Sequence, residues 1–390
     1  MDRVVSQKID LWLSDPKFKE VVILVGMRRV GKTTELMRFK SLHPKVLYFD
    51  LEDISVRQLF VPEVAKLNRL VGDASLLLLD EVQYLPQSGS ILKLLHDHFP
   101  QLQIVVTGSA SFLLLKNIGD SLQGRFRQIS MYPLAFREIC GDMDATYNFG
   151  DYKNEIYKSQ IEAHIEELML YGSLPQVYSE QSDQDKRSRL GSYLDGLLFK
   201  DVLEIEGIRN PTAFKKLLAL ISLQIGSEVN PNELATKLEI NRRTVVEYID
   251  LFEKFQICYR LNCFSTNQRN EITRNFKVYF SDLGIRNAVI SNFSSLTSRT
   301  DVGGMFENLT TNVLRSNFSY FDPDKTMYFW RNAAKAEVDL VIASQTSPEL
   351  IPVEIKFDKL NTPSRAFYNL YANRVKQAFA INKDNLWKFV

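Results

Sequence analysis

The stretch VVILVGMRRVGKTTELM, residues 21–37, joins a β-branched apolar run to a glycine-bounded loop and the start of a helix. Gly26 and the triplet Gly31-Lys32-Thr33 satisfy the spacing Gly-x-x-x-x-Gly-Lys-Ser/Thr in a strand–loop–helix context. The glycines let the backbone curl so that its N–H groups point inward, and the N-terminus of the following helix adds partial positive charge. The stretch therefore predicts a site that binds the phosphates of a mononucleotide.

The residues of this loop have separate expected roles. Lys32 is expected to reach the β- and γ-phosphates of ATP, and the hydroxyl of Thr33 is expected to ligate Mg²⁺. Arg28 and Arg29 are expected to contact the nucleotide or a neighbouring subunit, and the sequence leaves these two alternatives open. The loop residues predicted to bind the nucleotide are Gly26, Arg28, Arg29, Val30, Gly31, Lys32, Thr33 and Thr34.

The second half of such a site is an apolar strand that ends in acidic residues, and SLLLLDEVQYL, residues 75–85, supplies it. Asp80 is expected to hold the Mg²⁺ through water, and Glu81 is expected to polarise the water that attacks the γ-phosphate. The alternative is a buried strand that ends in a solvated acidic pair.

Two further apolar segments are predicted as strands, KVLYFDLED at residues 45–53 and QIVVTGSASF at residues 103–112. Ser109 or Thr107 is expected to face the γ-phosphate as a sensor of hydrolysis. Buried strands that alternate with helices predict an α/β fold, a P-loop NTPase parallel sheet with helices on both faces and the ligand at the carboxyl ends of the strands. A glutamate after the acidic aspartate is typical of the ATP-hydrolysing P-loop proteins.

The segment SLQGRFRQISMYPLAFREI, residues 121–139, places Arg125 directly after Gly124 in a predicted loop. An arginine delivered to the γ-phosphate raises hydrolysis by roughly 10³–10⁵-fold. We expect Arg125 to play this catalytic role, from the same chain or from a neighbouring subunit. The alternative is a surface arginine that pairs with a carboxylate.

Residues 136–206 show the three-and-four apolar spacing of helices, most clearly in IEAHIEELMLYGSLPQVY at residues 161–178. Gly172 and Pro175 are expected to end that helix. We predict that this region is a helical lid or connector, because no residue pattern in it indicates catalysis.

The stretch NPNELATKLEINRRTVVEYIDLFEKFQICYRLNCF, residues 230–264, predicts two short helices followed by strands, the order of a winged helix-turn-helix. Asn241 is expected to cap the second helix, which Arg242 and Arg243 would begin. Residues 232–260 hold five basic and five acidic residues, whereas DNA binding normally leaves a positive stripe. DNA contact and a structural or protein-contacting role therefore both remain open.

The segment AEVDLVIASQTSPELIPVEIKF, residues 336–357, predicts two strands joined by a polar turn. The two-residue period of a strand puts Glu354 and Lys356 on one face, where Asp339 of the facing strand is expected to meet them. Two carboxylates that converge across a hairpin suit Mg²⁺, and a lysine beside them orients the attacking water. With Glu307 on an upstream helix, this order is that of restriction-endonuclease-like nucleases.

The alternative is a hairpin whose solvent face carries these side chains without a metal. Residues 355–390 hold seven basic and two acidic residues, which indicates either a polyanion-binding surface or a solvated basic surface. The predicted metal ligands of the whole chain are Thr33, Asp80, Glu307, Asp339 and Glu354. The predicted catalytic residues are Lys32, Asp80, Glu81, Arg125, Glu354 and Lys356.

Length and composition bound these expectations. The 390 residues, 45% hydrophobic and 24% charged, are ordinary for a globular protein of several domains. No apolar run approaches the roughly 18 residues of a membrane helix, and the N-terminal segment lacks the pattern of a signal peptide. The formal charge of +1 gives no global attraction for nucleic acid, and three scattered cysteines fit a reducing cytoplasm.

The sequence resembles a family of prokaryotic AAA-type ATPases that join a P-loop domain to a C-terminal restriction-endonuclease-like domain. The segments that carry the resemblance run in family order along nearly the whole chain: GMRRVGKTT, LLLLDEVQ, VTGSASF, SLQGR, YPLAFREI, YGSLPQVY, KVYFSDLGIRNA, GMFEN, EVDLVI and PVEIKF. The resemblance implies ATP binding at residues 26–34 and chemistry at Asp80, Glu81, Glu307, Asp339, Glu354 and Lys356. One departure is Val338, which stands before Asp339 in place of a proline.

We therefore predict four segments: an AAA-type P-loop core at 1–135, a helical lid at 136–206, a winged helix at 207–290, and a restriction-endonuclease-like α/β domain at 291–390 that begins with a linker at 291–304. The leading hypothesis is a cytoplasmic, Mg²⁺-dependent ATPase whose nucleotide state controls a DNA-directed, nuclease-like C-terminal domain. The alternative is a nucleotide-switched regulatory or interaction protein with an inactive nuclease-like domain. Either hypothesis admits a homo-oligomer, with hexameric rings implied by analogy alone, and neither includes a membrane partner.

Overall fold

A computed structural model describes residues 3–15, 17–109, 121–141, 155–196, 202, 208–265 and 276–389, and for residues 109, 141 and 155–158 it describes the backbone alone. The chain divides into two compact units. The first unit comprises residues 2–132 with 254–256, and the second comprises residues 133–253 and 257–390.

The first unit is built on a five-stranded parallel sheet in the order β2-β3-β4-β1-β5. Its strands are β1 (Val21–Gly26), β2 (Val46–Asp50), β3 (Leu76–Asp80), β4 (Gln103–Ser109) and β5 (Phe126–Met131). Its helices are α1 (Val4–Ser14), α2 (Lys32–Leu42), α3 (Ile54–Arg57), α4 (Val64–Val71) and α5 (Ser88–His98), and Val82–Tyr84 forms a 3₁₀ turn. The predicted parallel sheet is confirmed in this unit.

Burial explains which strands form the centre of this sheet. Every residue of β1 and of β3 is buried, because both strands are apolar and each pairs with a neighbour on both sides. Strand β2 lies at an edge and leaves its residues partly or fully exposed. One face of the sheet packs Ile23, Leu77 and Leu79 into a cluster with Leu67 of α4 and Leu92 of α5. Removal of this apolar surface from water, at about 25 cal/mol per Å², stabilises the unit.

The second unit is mostly helical in its first half and adds two antiparallel or mixed sheets, β6-β8-β7 and β12-β11-β10-β9. Its helices are α6 (Phe136–Gly141), α7 (Glu155–Tyr171), α8 (Pro175–Tyr178), α9 (Asp183–Tyr193), α10 (Pro211–Leu223), α11 (Pro231–Leu238), α12 (Arg242–Lys254), α13 (Leu283–Val289), α14 (Val302–Phe321) and α15 (Arg365–Tyr371). Its strands are β6 (Glu228–Val229), β7 (Cys258–Asn262), β8 (Phe276–Phe280), β9 (Lys325–Arg331), β10 (Glu337–Ser344), β11 (Leu350–Ile355) and β12 (Phe379–Ile381). None of the described helices is long and apolar enough to cross a membrane.

A buried polar network ties α7 to α13 within the second unit. The carboxylate of Asp282 caps α13 by accepting from the N–H of Ile285 at 3.1 Å, and it also accepts from the N–H of Ser173 at 2.7 Å. Asn287 donates to two carbonyl oxygens at the end of α7, each at 2.8 Å. Because buried polar groups are costly unless they are hydrogen-bonded, these bonds fix the turn after α7 against α13.

The two sheets of the second unit are joined through α14 and β9. The side-chain amide of Asn308 in α14 donates to the carbonyl oxygen of Phe280 at 2.8 Å and accepts from the N–H of the same residue at 2.7 Å. Phe264, just beyond β7, donates its N–H to the carbonyl oxygen of Phe329 in β9 at 2.6 Å. Strand β8 therefore packs against α14, although a predicted segment boundary lies between them in the sequence. The four predicted segments stay predictions.

Two predicted helix boundaries are confirmed. Helix α7 ends at Tyr171, and Gly172 follows with a φ of 75°, as its position in the sequence predicts. Asn241 caps α12 by accepting from the N–H of Thr244 at 2.8 Å. Local turn and cap chemistry therefore decides these two ends.

The predicted linker at residues 291–304 is instead a packed segment. The buried side chain of Arg299 pairs with Asp301 at 2.7 Å and donates to the carbonyl oxygen of Asn292 at 2.6 Å. Asp301 also pairs at 2.6 Å with Arg286, whose side chain is fully buried. The Ser, Thr and Gly content indicates a flexible linker, but these ion pairs hold the segment in place.

Gly284 provides a test of the contact between α7 and α13. A Cβ atom on Gly284 would lie 1.9 Å from the carbonyl oxygen of Tyr171, and this backbone atom cannot move without displacing α7. We expect Gly284→Ala to lower the free energy of unfolding, measured with denaturant, by about 1–3 kcal/mol.

The matched control is Gly191→Ala. Gly191 lies within α9, and the space around its Cβ position is open. We expect this substitution to be neutral or to stabilise the protein by about 0.5–1 kcal/mol, since alanine is the better helix former. Equal effects of the two substitutions would contradict the steric argument.

Candidate functional site

Two glycines shape the loop between β1 and α2. Gly31 has a φ of 105°, a left-handed conformation that disfavours a side chain, and it stands directly before α2. At Gly26 a Cβ atom would lie 2.7 Å from the carbonyl oxygen of Met131 in β5. The loop therefore requires glycine at both motif positions, once for its conformation and once for space.

Lys32 is the first residue of α2, and its side chain is buried against the loop. Its ammonium group donates to the carbonyl oxygens of Gly26 at 3.0 Å and Met27 at 3.2 Å. Burial lowers the pKa of Lys32, and the negative charges of Glu81 and Asp80 oppose that shift. The lysine therefore lies within electrostatic reach of the acidic pair, as the two sequence motifs predict.

Asp80 ends β3 and is buried between two hydroxyl groups. Thr107 of β4 donates its hydroxyl to Oδ1 of Asp80, and Tyr48 of β2 donates to Oδ2 at 3.2 Å. Burial and the charge of Asp80 raise the pKa of Tyr48, so the phenol remains a donor. Because β3 lies between β2 and β4, the sheet itself gathers these three side chains and fixes the orientation of the carboxylate.

Glu81 follows in a left-handed backbone conformation, with a φ of 55°. Non-glycine residues seldom adopt this conformation, and those that do cluster at functional sites. The N–H of Glu81 donates to the hydroxyl oxygen of Thr107 at 3.1 Å, and its carboxylate accepts from the side-chain amide of Gln83. Of the two sensor candidates, Thr107 thus contacts both acids, whereas the side chain of Ser109 lies outside the described part of the chain.

The remaining loop residues surround the same edge of the sheet. Thr33 and Thr34 are exposed in the first turn of α2. Arg28 donates to a tyrosine hydroxyl at 3.4 Å, and Arg29 is exposed with a φ of 62°. The hydroxyl of Thr33 and the carboxylate of Asp80 are the oxygen donors that Mg²⁺ prefers, so the residues present fit that ion.

Arg3 contacts the loop from outside the motif. Its guanidinium group donates to the carbonyl oxygen of Val30 at 2.9 Å and to that of Tyr132 at 2.7 Å. Val30, a predicted nucleotide-binding residue, is buried and takes part in this contact through its backbone carbonyl oxygen. No spacing rule connects Arg3 with the loop, so the sequence carries no signal for this support.

Arg125 lies at the amino end of the parallel strands, whereas the loop lies at their carboxyl end. It directly precedes β5, whose first residue Phe126 pairs with Val21 at the start of β1, whereas Gly26 ends β1. At about 3.3 Å per residue, the two ends of β1 are roughly 17 Å apart. The guanidinium group pairs with Asp97 at 3.0 Å. This geometry excludes the expected contact between Arg125 and a γ-phosphate on the same chain, and the contact from a neighbouring subunit stays a prediction.

Asp339 of β10 contacts the segment that carries the Glu-x-Lys triplet, through the N–H of Ile355 and the ammonium group of Lys356. The pairing of β10 with β9 shifts register between Val338 and Val341, as at a β-bulge. The antiparallel register of β10 with β11 pairs Leu340 with Val353, the residues next to Asp339 and Glu354. The structure therefore brings Asp339, Glu354 and Lys356 together, as the two-residue period of the strands predicts.

Lys356 lies between the two carboxylates of this hairpin. Its ammonium group is 2.8 Å from Asp339 Oδ2 and 2.9 Å from Glu354 Oε1. Burial and the charge of Asp339 raise the pKa of Glu354. Burial lowers the pKa of Lys356, but the two carboxylates raise it more, so the lysine stays charged. The set is an ion-paired cluster in which one cation bridges two anions.

Glu307 meets a second lysine, which is not among the predicted site residues. Lys277 of β8 places its ammonium group 2.8 Å from Glu307 Oε1 and 2.6 Å from Glu337 Oε1. Tyr279 donates its hydroxyl to the same Glu307 oxygen at 2.5 Å. Burial raises the pKa of Glu307, Lys277 opposes this rise, and Asp339 adds to it. Glu307 is thus within electrostatic reach of Asp339 but is bonded to Lys277.

Lysines therefore stand between the carboxylates that the sequence predicts as metal ligands in the second unit. Among the described residues, no group of three or more His, Cys, Asp or Glu side chains is arranged to hold a metal ion. The oxygens of Asp339 and Glu354 are of the type that Mg²⁺ accepts. A divalent ion between them would have to displace the ammonium group of Lys356.

The sequence contains a pattern that could have indicated the buried position of Lys277 and Tyr279. In FKVYF, residues 276–280, they stand two positions apart and so share one face of the strand. Lysine is almost never fully buried unless it is paired, and here the flanking residues are apolar. A lysine inside an apolar strand therefore predicts a buried acidic partner, although it does not say which one.

Helices α11 and α12 follow each other across a short turn, and their exposed side chains include ion pairs of opposite charge. The predicted inner face is buried at Val245, Ile249 and Phe252. Arg242 and Arg243 are exposed at the start of α12, and Arg243 pairs with Glu247 at 2.8 Å. DNA contact through this face stays a prediction.

Relatives of the chain are found in archaea and bacteria. An uncharacterised protein of Methanocaldococcus jannaschii is 26% identical over 369 residues, which cover 92% of this chain and 79% of that protein. An uncharacterised protein of Mycobacterium tuberculosis is 26% identical over 349 residues, which cover 88% and 71% of the two chains. Among solved structures, the Walker-type ATPase of Pyrococcus abyssi aligns with a TM-score of 0.46 at 17% identity, over 73% of this chain and 94% of that chain.

Three stretches of the chain match known families. Residues 162–296 and 302–386 match two families described as domains of unknown function, DUF8612 and DUF4143 respectively. Residues 18–140 match the family described as AAA domain. The loop between β1 and α2, with its two required glycines, lies within the residues that match this family.

Proposed function

We propose that this chain is an ATP-binding, Mg²⁺-dependent ATPase. The observation that carries the proposal is the position of Lys32 at the start of α2, in a glycine-shaped loop, together with Asp80, which Thr107 holds at the carboxyl end of a neighbouring part of the same parallel sheet. Anions bind well at such an edge because backbone N–H groups and the positive end of a helix face them. Bound Mg²⁺ would neutralise charge on the β- and γ-phosphates.

Each side chain has a defined task in this reaction. Lys32 leaves the carbonyl oxygens that it contacts in the loop and bonds the phosphate oxygens. Thr107 and Tyr48 hold the carboxylate of Asp80 in one orientation. Glu81 takes a proton from the water that attacks the γ-phosphorus, while the bond from that phosphorus to the oxygen of the ADP leaving group breaks.

Lys32→Ala tests the nucleotide site. We expect ATP turnover, measured as phosphate release, to fall by about 10²-fold or more, because a donor aimed at the developing charge is lost. The circular dichroism spectrum should be retained. Lys45→Ala is the matched control, since Lys45 is exposed and pairs with Asp73, and it should leave turnover unchanged. Normal turnover in the Lys32 variant would refute the assignment.

Glu81→Gln separates binding from chemistry. The substitution keeps the size of the side chain but removes the proton acceptor, and we expect hydrolysis to fall by about 10²–10⁴-fold. ATP affinity, measured with a fluorescent analogue, should be retained because Glu81 makes no expected contact with the bound nucleotide. A parallel loss of affinity and turnover would instead mean that Glu81 supports the shape of the loop.

A second candidate function concerns the second unit, where Lys356 bridges Asp339 and Glu354. Two carboxylates and a lysine in this order support metal-dependent cleavage of a phosphodiester, with DNA as the expected substrate. In that function ATP binding controls the cleavage. If the cluster is inactive, the chain is a nucleotide-switched regulatory or interaction protein, and the charge-balanced face of α12 favours this alternative.

A cleavage assay decides between these two alternatives. Duplex DNA, single-stranded DNA and RNA are incubated with Mg²⁺ or Mn²⁺, with and without ATP. We expect Asp339→Ala to abolish cleavage, because Asp339 accepts from Lys356, which also pairs with Glu354. Asp358→Ala is the control, since this exposed carboxylate pairs with Lys383. Equal cleavage by wild type and the Asp339 variant would exclude a nuclease site here.

Subunit contacts belong to the same proposal. Arg125 cannot reach the phosphates of its own chain, so a catalytic role requires delivery to the nucleotide of a neighbouring copy. A homo-oligomer would meet that requirement.

A further inference from the structure

Lys277 is a lysine buried in the interior of the second unit. Its side chain is 1% exposed, and its ammonium group lies 2.8 Å from Glu307 Oε1 and 2.6 Å from Glu337 Oε1. An isolated charge in such a place costs several kcal/mol, and the cost is offset only when partners and hydrogen bonds compensate it. The two carboxylates therefore hold the lysine in its charged form.

The surroundings of Lys277 prevent it from leaving. Its ammonium group lies 5.5 Å from the centre of the Phe329 ring, within the range of a cation–π contact. Strand β8 is fixed at its end by Asn308, which bonds both the N–H and the carbonyl oxygen of Phe280. Tyr279 occupies the Glu307 oxygen that Lys277 also contacts. The cation is therefore a permanent part of the structure.

Lys356 has the same kind of partners but a different exposure. It also bridges two carboxylates, at 2.8 Å and 2.9 Å, yet its side chain is 40% exposed. It follows the last residue of β11, so its long side chain can turn into solvent and release Asp339 and Glu354. The two lysines thus differ in whether another cation can replace them.

We propose that Lys277 takes the place of a divalent cation between Glu307 and Glu337, and that the cluster accepts at most one exchangeable cation, at the position of Lys356. Glu307 is then the fixed partner of an internal cation rather than a metal ligand. The inference concerns the same cluster as the second candidate function, but it does not depend on cleavage. It also means that strand β8, outside the stretch 302–386, completes the cluster.

Removal of the lysine tests this inference. The full chain carrying Asp80→Asn, which removes a cation ligand of the nucleotide site, is titrated with Mn²⁺ and followed by electron paramagnetic resonance. We expect Lys277→Ala in this background to bind one more Mn²⁺ per chain than its parent, because hard carboxylate oxygens are left without a cation. Lys277→Arg keeps the charge and should show no gain. Glu307→Gln added to the alanine variant should remove the extra ion.

A second arm keeps the inference testable if the alanine variant does not fold. Glu307→Gln alone, in the Asp80→Asn background, should bind as many Mn²⁺ ions as its parent, since Lys277 already occupies Glu307. Loss of a bound ion on this substitution would overturn the inference, and so would a folded alanine variant that gains no ion. The Mn²⁺ results do not depend on the cleavage assay, so the inference on Lys277 and the nuclease function can be refuted independently.

Discussion

Parallel pairing brings the carboxyl ends of strands to one edge of a sheet, and the nucleotide site depends on this constraint. Lys32 follows β1, Asp80 ends β3 and Thr107 lies near the end of β4, and the strand order places β4 between the other two. Thr107 can therefore bond Asp80 and the N–H of Glu81 at the same time. The same constraint removes Arg125 from the site, because a residue that precedes a parallel strand lies at the other edge.

The second unit meets a different constraint, which is the compensation of buried charge. Four carboxylates of the C-terminal cluster face two ammonium groups and the guanidinium group of a neighbouring arginine. Around α13, backbone N–H groups compensate the buried carboxylate of Asp282, and Asp301, which stands before α14, pairs with the buried Arg286. Removal of one charged partner leaves the other buried and unpaired, which is unfavourable. These contacts therefore hold the elements in one arrangement.

Prediction from the sequence succeeded where chemistry is local. The glycine spacing of the P-loop, the cap at Asn241 and the end of α7 at Gly172 depend on residues within a few positions of each other. The facing of Glu354 and Lys356 follows from the period of a strand. Prediction was incomplete where distant segments meet, as for the ion pair of Arg286 with Asp301 and for the partner of Glu307.

The sequence by itself determined the P-loop, the acidic strand end and the Asp and Glu-x-Lys pattern, because each is encoded by short spacing and by the polarity of single strands. Only the tertiary structure decided which charges meet. The register of β10 against β9 shifts between Val338 and Val341, and β8 inserts Lys277 between Glu307 and Glu337. Both outcomes depend on how strands pair and pack across the unit. Because an unpaired buried charge is unfavourable, the partner of each buried carboxylate depends on the whole fold and not on a sequence motif.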